Sequence, residues 1–202
     1  MLVSKRMLLF MPMITLSAFN LAIQSSVFIK MMEDTMKTDA EGWDEGKRDK
    51  FALLAMVGLG FGEISGAMIF GKIGDSQSMK VTIAANMLSA FVGFSLLIAY
   101  TVHYEFTLVF GFFMTFFWGI SDGGLNTLIN SMLGFQFDSK TSPFSVNKFV
   151  QSLLIFAFTC FESVLGGKTD YLYYEIFVFV FCLLTWLSFN FFFEIRDQNT
   201  GD

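Results

Sequence analysis

Six apolar segments, separated by short polar stretches, constrain this chain more than any other feature of its sequence. They span about residues 7–29, 51–70, 81–102, 106–133, 144–165 and 171–193. Each holds at least the roughly 20 residues that an α-helix needs to cross the hydrocarbon core of a bilayer. A lipid-exposed backbone must form its hydrogen bonds internally. The pattern therefore predicts an all-α, polytopic membrane protein with six transmembrane helices in a single domain, residues 1–202.

The composition excludes several other classes of protein. Of the 202 residues, 54% are hydrophobic and only 15% are charged, against about 25% charged in soluble domains. The net charge of −5 gives no basic face for nucleic acid, so lipid is the expected surrounding. With one histidine and two cysteines, Cys160 and Cys182, both inside apolar runs, the sequence offers no metal cluster and no cofactor motif. We expect no enzyme, no cofactor and no metal.

The most polar stretch is 30–50, which carries five basic and seven acidic residues. It predicts a solvated loop between the first two spans. Six spans place both termini on one side of the membrane, and positively charged residues favour the cytosolic side. Their slight excess on the terminal side predicts cytosolic termini in an organelle that the sequence does not identify. These basic residues are Lys5, Arg6, Lys72, Lys80, Lys140, Lys148 and Arg196.

Small residues mark one face of the second span. Gly58, Gly62 and Gly66 recur every fourth residue, a spacing that lets two membrane helices approach closely. Glu63 lies among them. A carboxylate in the middle of a bilayer is unfavourable by about 3 kcal/mol on insertion scales, so it should face protein or water. It could couple to protons, contact a cation, or form a hydrogen bond to a neighbouring helix.

The fourth span carries the richest polar pattern. A stripe at helical spacing predicts a face turned away from lipid, and it consists of Thr115, Gly119, Asp122, Asn126 and Asn130. The glycines that follow the acid, at 123 and 124, permit the helix to bend. Irregular backbone beside an acid is how carriers build cation sites. The stripe is equally consistent with a polar face that docks this helix onto its neighbours.

Charged and aromatic residues near the ends of the last two spans are ambiguous. Lys148 could pair with an acid such as Asp122, or extend to the lipid headgroups. Three tyrosines, Tyr171, Tyr173 and Tyr174, predict an aromatic belt at the interface. We expect Glu175 to lie at that interface as well.

Several short motifs occur in an order that resembles a known family. RMLLFMP (6–12) and Phe28-Ile29-Lys30 resemble the two ends of its seventh helix. Gly71-Lys72 resembles the pair after its eighth helix, and with Asp75 it resembles the G-x-x-x-D loop of the superfamily.

The later motifs follow in the same order. WGISDGGLNTLINSMLG (118–134) resembles the tenth helix of the same family, with Asn126 at an Asn or Gln position. Phe144, Lys148 and Gln151 resemble the start of its eleventh helix. The chain thus resembles the C-terminal half of the Unc-ninety-three family, a branch of the major facilitator superfamily.

The resemblance implies half of a twelve-span bundle, built as a 3+3 inverted repeat. Its family function implies regulation of, or assembly with, a channel, receptor or larger membrane complex. We expect helix docking through two faces, one of Gly58, Gly62 and Gly66 and one of Gly119, Asp122 and Asn126. The partner would be a second membrane half, another copy or another membrane protein, unless the chain is a fragment. Two alternatives remain: half of a secondary transporter for a cation or unidentified solute, with Asp122 and Glu63 in the pathway, and a structural subunit.

Overall fold

The computed structural model describes residues 5–39, 44–137, 141–193 and 195, and every regular element in them is helical. The elements are α1 Lys5–Ala22, a π-helical segment Ile23–Val27, α2 Phe28–Asp39, α3 Glu45–Ser76, α4 Met79–His103, α5 Leu108–Phe135, α6 Ser142–Glu162 and α7 Lys168–Phe192. The first three elements join into one span. Within the described residues, six spans are long and apolar enough to cross a membrane, which confirms the all-α, six-span prediction.

The predicted loop 30–50 is largely helical, and this part of the prediction is wrong. Helix α2 continues to Asp39 because its methionines and Thr35 are buried against the bundle. Helix α3 already begins at Glu45, where the Asp44 side chain accepts a hydrogen bond of 2.9 Å from the Lys47 amide, a typical N-cap. Residues 40–43 lie outside the described residues, as do Lys140 and Arg196.

The contacts between spans follow a regular pattern. With α1–π–α2 as the first span, the second packs on the fourth and the fifth packs on the first. Likewise the third contacts the fourth, and the sixth contacts the first. If the first three spans are exchanged with the last three, the contact of the second span with the fourth becomes that of the fifth with the first. The contact of the third span with the fourth likewise becomes that of the sixth with the first. This pattern fits a 3+3 repeat.

The interface between α3 and α5 brings two backbones into contact. A Cβ added to Gly62 would overlap the carbonyl oxygen of Phe116, and one added to Gly123 would overlap the carbonyl oxygen of Glu63. Gly58, Gly66 and Gly119 are equally tight. Thr115 Oγ1 also donates a hydrogen bond of 2.7 Å to the Ala55 carbonyl. These glycines therefore cover each other within the chain, so the expected docking of a partner on Gly58, Gly62, Gly66 and Gly119 is corrected to packing between α3 and α5.

We expect Gly62→Ala to destabilise the bundle, because the new methyl group meets backbone that cannot move aside. Overpacking of this kind typically lowers the free energy of unfolding by about 1–3 kcal/mol. Gly60→Ala is the matched control: Gly60 lies on the same helix with nothing within 4 Å of an added Cβ, and alanine favours helix. Thermal unfolding in mild detergent should show a lower Tm for Gly62→Ala alone. Equal Tm values for both variants would contradict the tight interface.

Candidate functional site

Asp122 lies at the centre of the polar stripe on α5 and is only 1% exposed. Its Oδ2 accepts a hydrogen bond of 3.0 Å from Asn126 Nδ2, one helical turn later. Its Oδ1 is buried, and no donor in the described part of the chain reaches it with hydrogen-bond geometry. The Asn20 side chain on α1 also lies within hydrogen-bonding reach of the carboxylate, and the charge of Glu63 on α3 acts on it electrostatically. Three helices therefore converge on this acid.

A chain of hydrogen bonds connects Asp122 to the surface of the bundle. Lys148 Nζ on α6 donates to Gln151 Oε1 at 3.1 Å, and Gln151 Nε2 donates to Ser17 Oγ on α1 at 2.8 Å. Ser17 Oγ then donates to Asn126 Oδ1 on α5 at 3.3 Å. Together with the bond from Asn126 to Asp122, four hydrogen bonds link an exposed ammonium group to a buried carboxylate across three helices.

Every bond in this chain has the same direction. Each group accepts from the side of Lys148 and donates toward the side of Asp122, so the positive end lies at the surface and the negative end in the core. Bonds aligned in this way polarise one another. The two amide side chains have no readily transferred proton. The chain therefore positions the carboxylate and does not form a proton wire.

The predicted stripe residues differ in their surroundings. Asp122 and Asn126 join one network, and Lys148 reaches it through Gln151 instead of pairing directly with Asp122. Asn130, near the end of α5, is exposed. Glu63 is half-buried, with its backbone against Gly123.

Sequence reasoning missed the part that α1 plays in this site. Ser17 and Asn20 are both buried, and they lie three residues apart in a mostly apolar helix, so both side chains fall on the face toward α5. The three-residue spacing of Ser17 and Asn20 was the sequence signal that could have indicated this face. Gln151, one turn after Lys148, was noted only for its family resemblance.

A second buried carboxylate lies where α6 ends. Glu162 is 1% exposed and accepts hydrogen bonds from Ser26 in the π-helical segment and from the Tyr174 hydroxyl on α7. Lys30 Nζ donates to the carbonyls of Ser163 and Leu165, at 2.9 and 2.6 Å, and so satisfies the end of α6. These contacts hold the first span against the last two spans.

The interfacial assignments on α7 need correction. Glu175 is fully buried and accepts a hydrogen bond of 2.7 Å from Thr101 Oγ1 on α4. Tyr171 and Tyr174 are also buried, because their hydroxyl groups donate to Asp34 and Glu162. Only Tyr173, at 70% exposure, fits the expected belt. A donor on α4 and acceptors on α2 and α6 hold these polar groups inside the bundle.

The turn between α4 and α5 carries a further polar contact outside the spans. Tyr104 adopts the left-handed conformation at the end of α4, with φ of 56°. Burial and the nearby Asp34 carboxylate raise the pKa of the Tyr104 hydroxyl, because both disfavour the phenolate. The Lys168 ammonium lies 5.8 Å from the centre of the Tyr104 ring. This cluster connects α2 with the turn between α4 and α5 and with the start of α7.

Comparison with protein-family models gives one match. The model described as "Ion channel regulatory protein UNC-93" matches residues 1–193. The search of the curated proteins and the search of the solved structures each found no match.

We expect Ser17→Ala to break the hydrogen-bond chain at its middle. The change leaves Gln151 Nε2 and Asn126 Oδ1 without their partner, and an unpaired buried polar group costs about 1–3 kcal/mol of stability. Ser95→Ala is the control, because the Ser95 hydroxyl is exposed and donates to the Phe91 carbonyl of its own helix. Reversible unfolding in mixed micelles measures both variants.

A double-mutant cycle distinguishes the contribution of the hydrogen-bond chain to stability from that of side-chain packing. Gln151→Leu and Asn126→Leu should be coupled in the wild-type background and additive once Ser17 is alanine. Additive effects in both backgrounds would show that the hydrogen-bond chain does not couple Gln151 to Asn126.

Proposed function

Because this chain belongs to the UNC-93 family of ion channel regulatory proteins, we propose that it docks onto the transmembrane helices of an ion channel and thereby regulates that channel. The chain is an integral membrane protein of a regulatory family. What requires a proposal is the surface that makes the contact, since the glycine faces of α3 and α5 are already occupied by each other.

The observation that supports docking is a polar face on α6 that the chain itself leaves uncovered. Lys148 and Ser152 are exposed and Thr159 is half-buried. The three residues share one side of the helix at steps of four and seven; we call this side the α6 polar face. Ser152 lies near the middle of the span, where lipid offers no hydrogen-bond partner. A partner helix satisfies such groups, because serine and threonine hydroxyls bond across membrane helices.

The packing of α6 supports the same surface. Only 11% of its most apolar stretch is buried within the chain, the lowest value of the six spans. Large hydrophobic side chains occupy the neighbouring side of α6, where Phe149 is 65% exposed and Leu153 58% exposed, as is usual for a surface that faces acyl chains. Small and polar residues thus lie beside a lipid-facing surface on one helix. That is the arrangement of a helix packed on one side and lipid-exposed on the other.

We expect Ser152→Phe to block docking, because a large side chain replaces a small one at the centre of the α6 polar face. Cross-linking in native membranes, purification and mass spectrometry should recover channel subunits with the wild type and about tenfold less with the variant, a change equal to about 1.4 kcal/mol. Leu153→Phe is the matched control, since it places the same side chain on the lipid-facing side of the same turn.

The electrical readout completes this test. Co-expression of the recovered channel with the wild type or Leu153→Phe should change its current, and co-expression with Ser152→Phe should not. If Ser152→Phe retains both recovery and regulation, the α6 polar face is not the docking surface. If the wild type recovers no channel subunit, the proposed function is wrong.

A further inference from the structure

A pocket of about 370 Å³ lies between the end of α6 and the start of α7, where the last two spans turn at the membrane surface. Its volume falls within the range of about 300–1,000 Å³ that is usual for small-molecule sites. Most of the lining residues are aromatic and one is acidic. They are Phe161, Leu165, Asp170, Tyr173, Tyr174 and Phe177. The residues from α7 follow one another at helical spacing, so they share one face of that helix.

Contacts behind the pocket hold its rings in place. The Tyr174 hydroxyl donates a hydrogen bond to Glu162. The centre of the Tyr174 ring lies 5.8 Å from that of Phe161 and 6.3 Å from that of Phe19. Phe177 packs edge-on against Phe19 at 6.1 Å. Because the Phe161 and Phe177 side chains are nevertheless exposed, the rings are both fixed in position and accessible to a ligand.

Asp170 places a carboxylate at the rim of the pocket. It is exposed, and its Oδ2 accepts a hydrogen bond of 3.3 Å from the Gly166 amide. No lysine, arginine or histidine of the described residues lies within ion-pair distance of it. The nearby Lys168 is turned toward α4, where its Nζ donates to the Val102 carbonyl at 2.5 Å. Ring faces attract cations, and a carboxylate does so too, so the pocket suits a positively charged group.

A positive charge lies beside another lining residue. Lys30 Nζ donates to the carbonyl oxygens of Leu165 and Ser163 at 2.6 and 2.9 Å. An ammonium group has three donors, so one of them remains for an anion. The pocket and its edge thus offer a carboxylate and an ammonium group together, which complements a ligand that carries both charges.

We propose that this pocket binds the headgroup of a phosphatidylcholine molecule, with its trimethylammonium group against the aromatic rings and Asp170. Aromatic rings are the usual recognition element for choline. The primary ammonium of phosphatidylethanolamine, by contrast, is strongly hydrated and needs several acceptors. Among the lining side chains only Asp170 offers a strong acceptor.

The position of the pocket favours a lipid over a free solute. It lies where two spans end, which is the level of the headgroups. Phe161 and Phe177 are exposed large hydrophobic side chains next to it, and the acyl chains of a bound lipid would cover them. The phosphate of the same headgroup would find the remaining donor of Lys30. This site goes beyond the docking function, because it binds a lipid and lies on another part of the surface than the α6 polar face.

Native mass spectrometry of the purified full chain tests this site. The chain is equilibrated in mild detergent with equal amounts of phosphatidylcholine and phosphatidylethanolamine that have the same acyl chains. The wild type should retain phosphatidylcholine about tenfold more than phosphatidylethanolamine, a preference equal to about 1.4 kcal/mol. Asp170→Asn removes the charge and Tyr173→Ala removes an exposed ring, so each should reduce this preference at least about threefold.

Glu105→Gln and Phe191→Ala are the matched controls. Glu105 is an exposed carboxylate in the turn between α4 and α5, on the same side of the membrane as the pocket, and Phe191 is an exposed ring at the other end of α7. Both variants should keep the wild-type preference. The Tm of each variant in detergent without lipid shows whether it folds, and if one pocket variant does not fold, the other one decides.

The test involves no channel, so its failure is distinct from a failure of the docking function. The proposal is overturned if the wild type retains both lipids equally, if a folded pocket variant keeps the full preference, or if the two controls lose it as well. Binding of tritiated choline that is as tight as that of a short-chain phosphatidylcholine would overturn the assignment to a lipid, because the site would then take a free solute.

Discussion

The contact between the backbones of α3 and α5 is the constraint on which the rest of the bundle depends. Without a Cβ at Gly62 or Gly123, the carbonyl groups of one helix lie against the chain of the other. Small residues allow membrane helices to pack in this way. The close approach buries the glycine face of α5 against α3 and brings Glu63 next to Asp122. The adjoining face of α5, with Asp122 and Asn126, then turns toward α1.

This orientation explains how a carboxylate is accommodated so deep in the bundle. Asp122 is not neutralised by a direct ion pair but is held by a line of donors that starts at Lys148 and crosses α6, α1 and α5. Each donor satisfies an acceptor that would otherwise be unpaired in a medium of low polarity. The arrangement fixes three helices relative to one another, although α6 has little other contact with α5.

The sequence predicted the six spans, the glycine spacing and the stripe around Asp122, because hydrophobic runs and helical periodicity are local properties. It could not predict that the two glycine faces meet each other, because that depends on which helices are neighbours. Glu175 and Tyr171 were placed at the interface by their position near a span end, but a donor on α4 and an acceptor on α2 bind them inside. The continuation of α2 to Asp39 was missed for a similar reason: buried methionines, not lipid, stabilise that turn.

The α6 polar face and the buried Asp122 carboxylate are the two ends of one chain of hydrogen bonds. Lys148 belongs to the face, and its ammonium donates to Gln151, the first link of the chain that ends at Asp122. A docked partner that drew the Lys148 ammonium away would weaken the donors that hold Asp122 Oδ2, because bonds aligned in one direction polarise one another. Thermodynamic linkage requires the reverse effect with equal size: a change that loosens the hydrogen bonds of Asp122 must change the affinity for such a partner by the same factor.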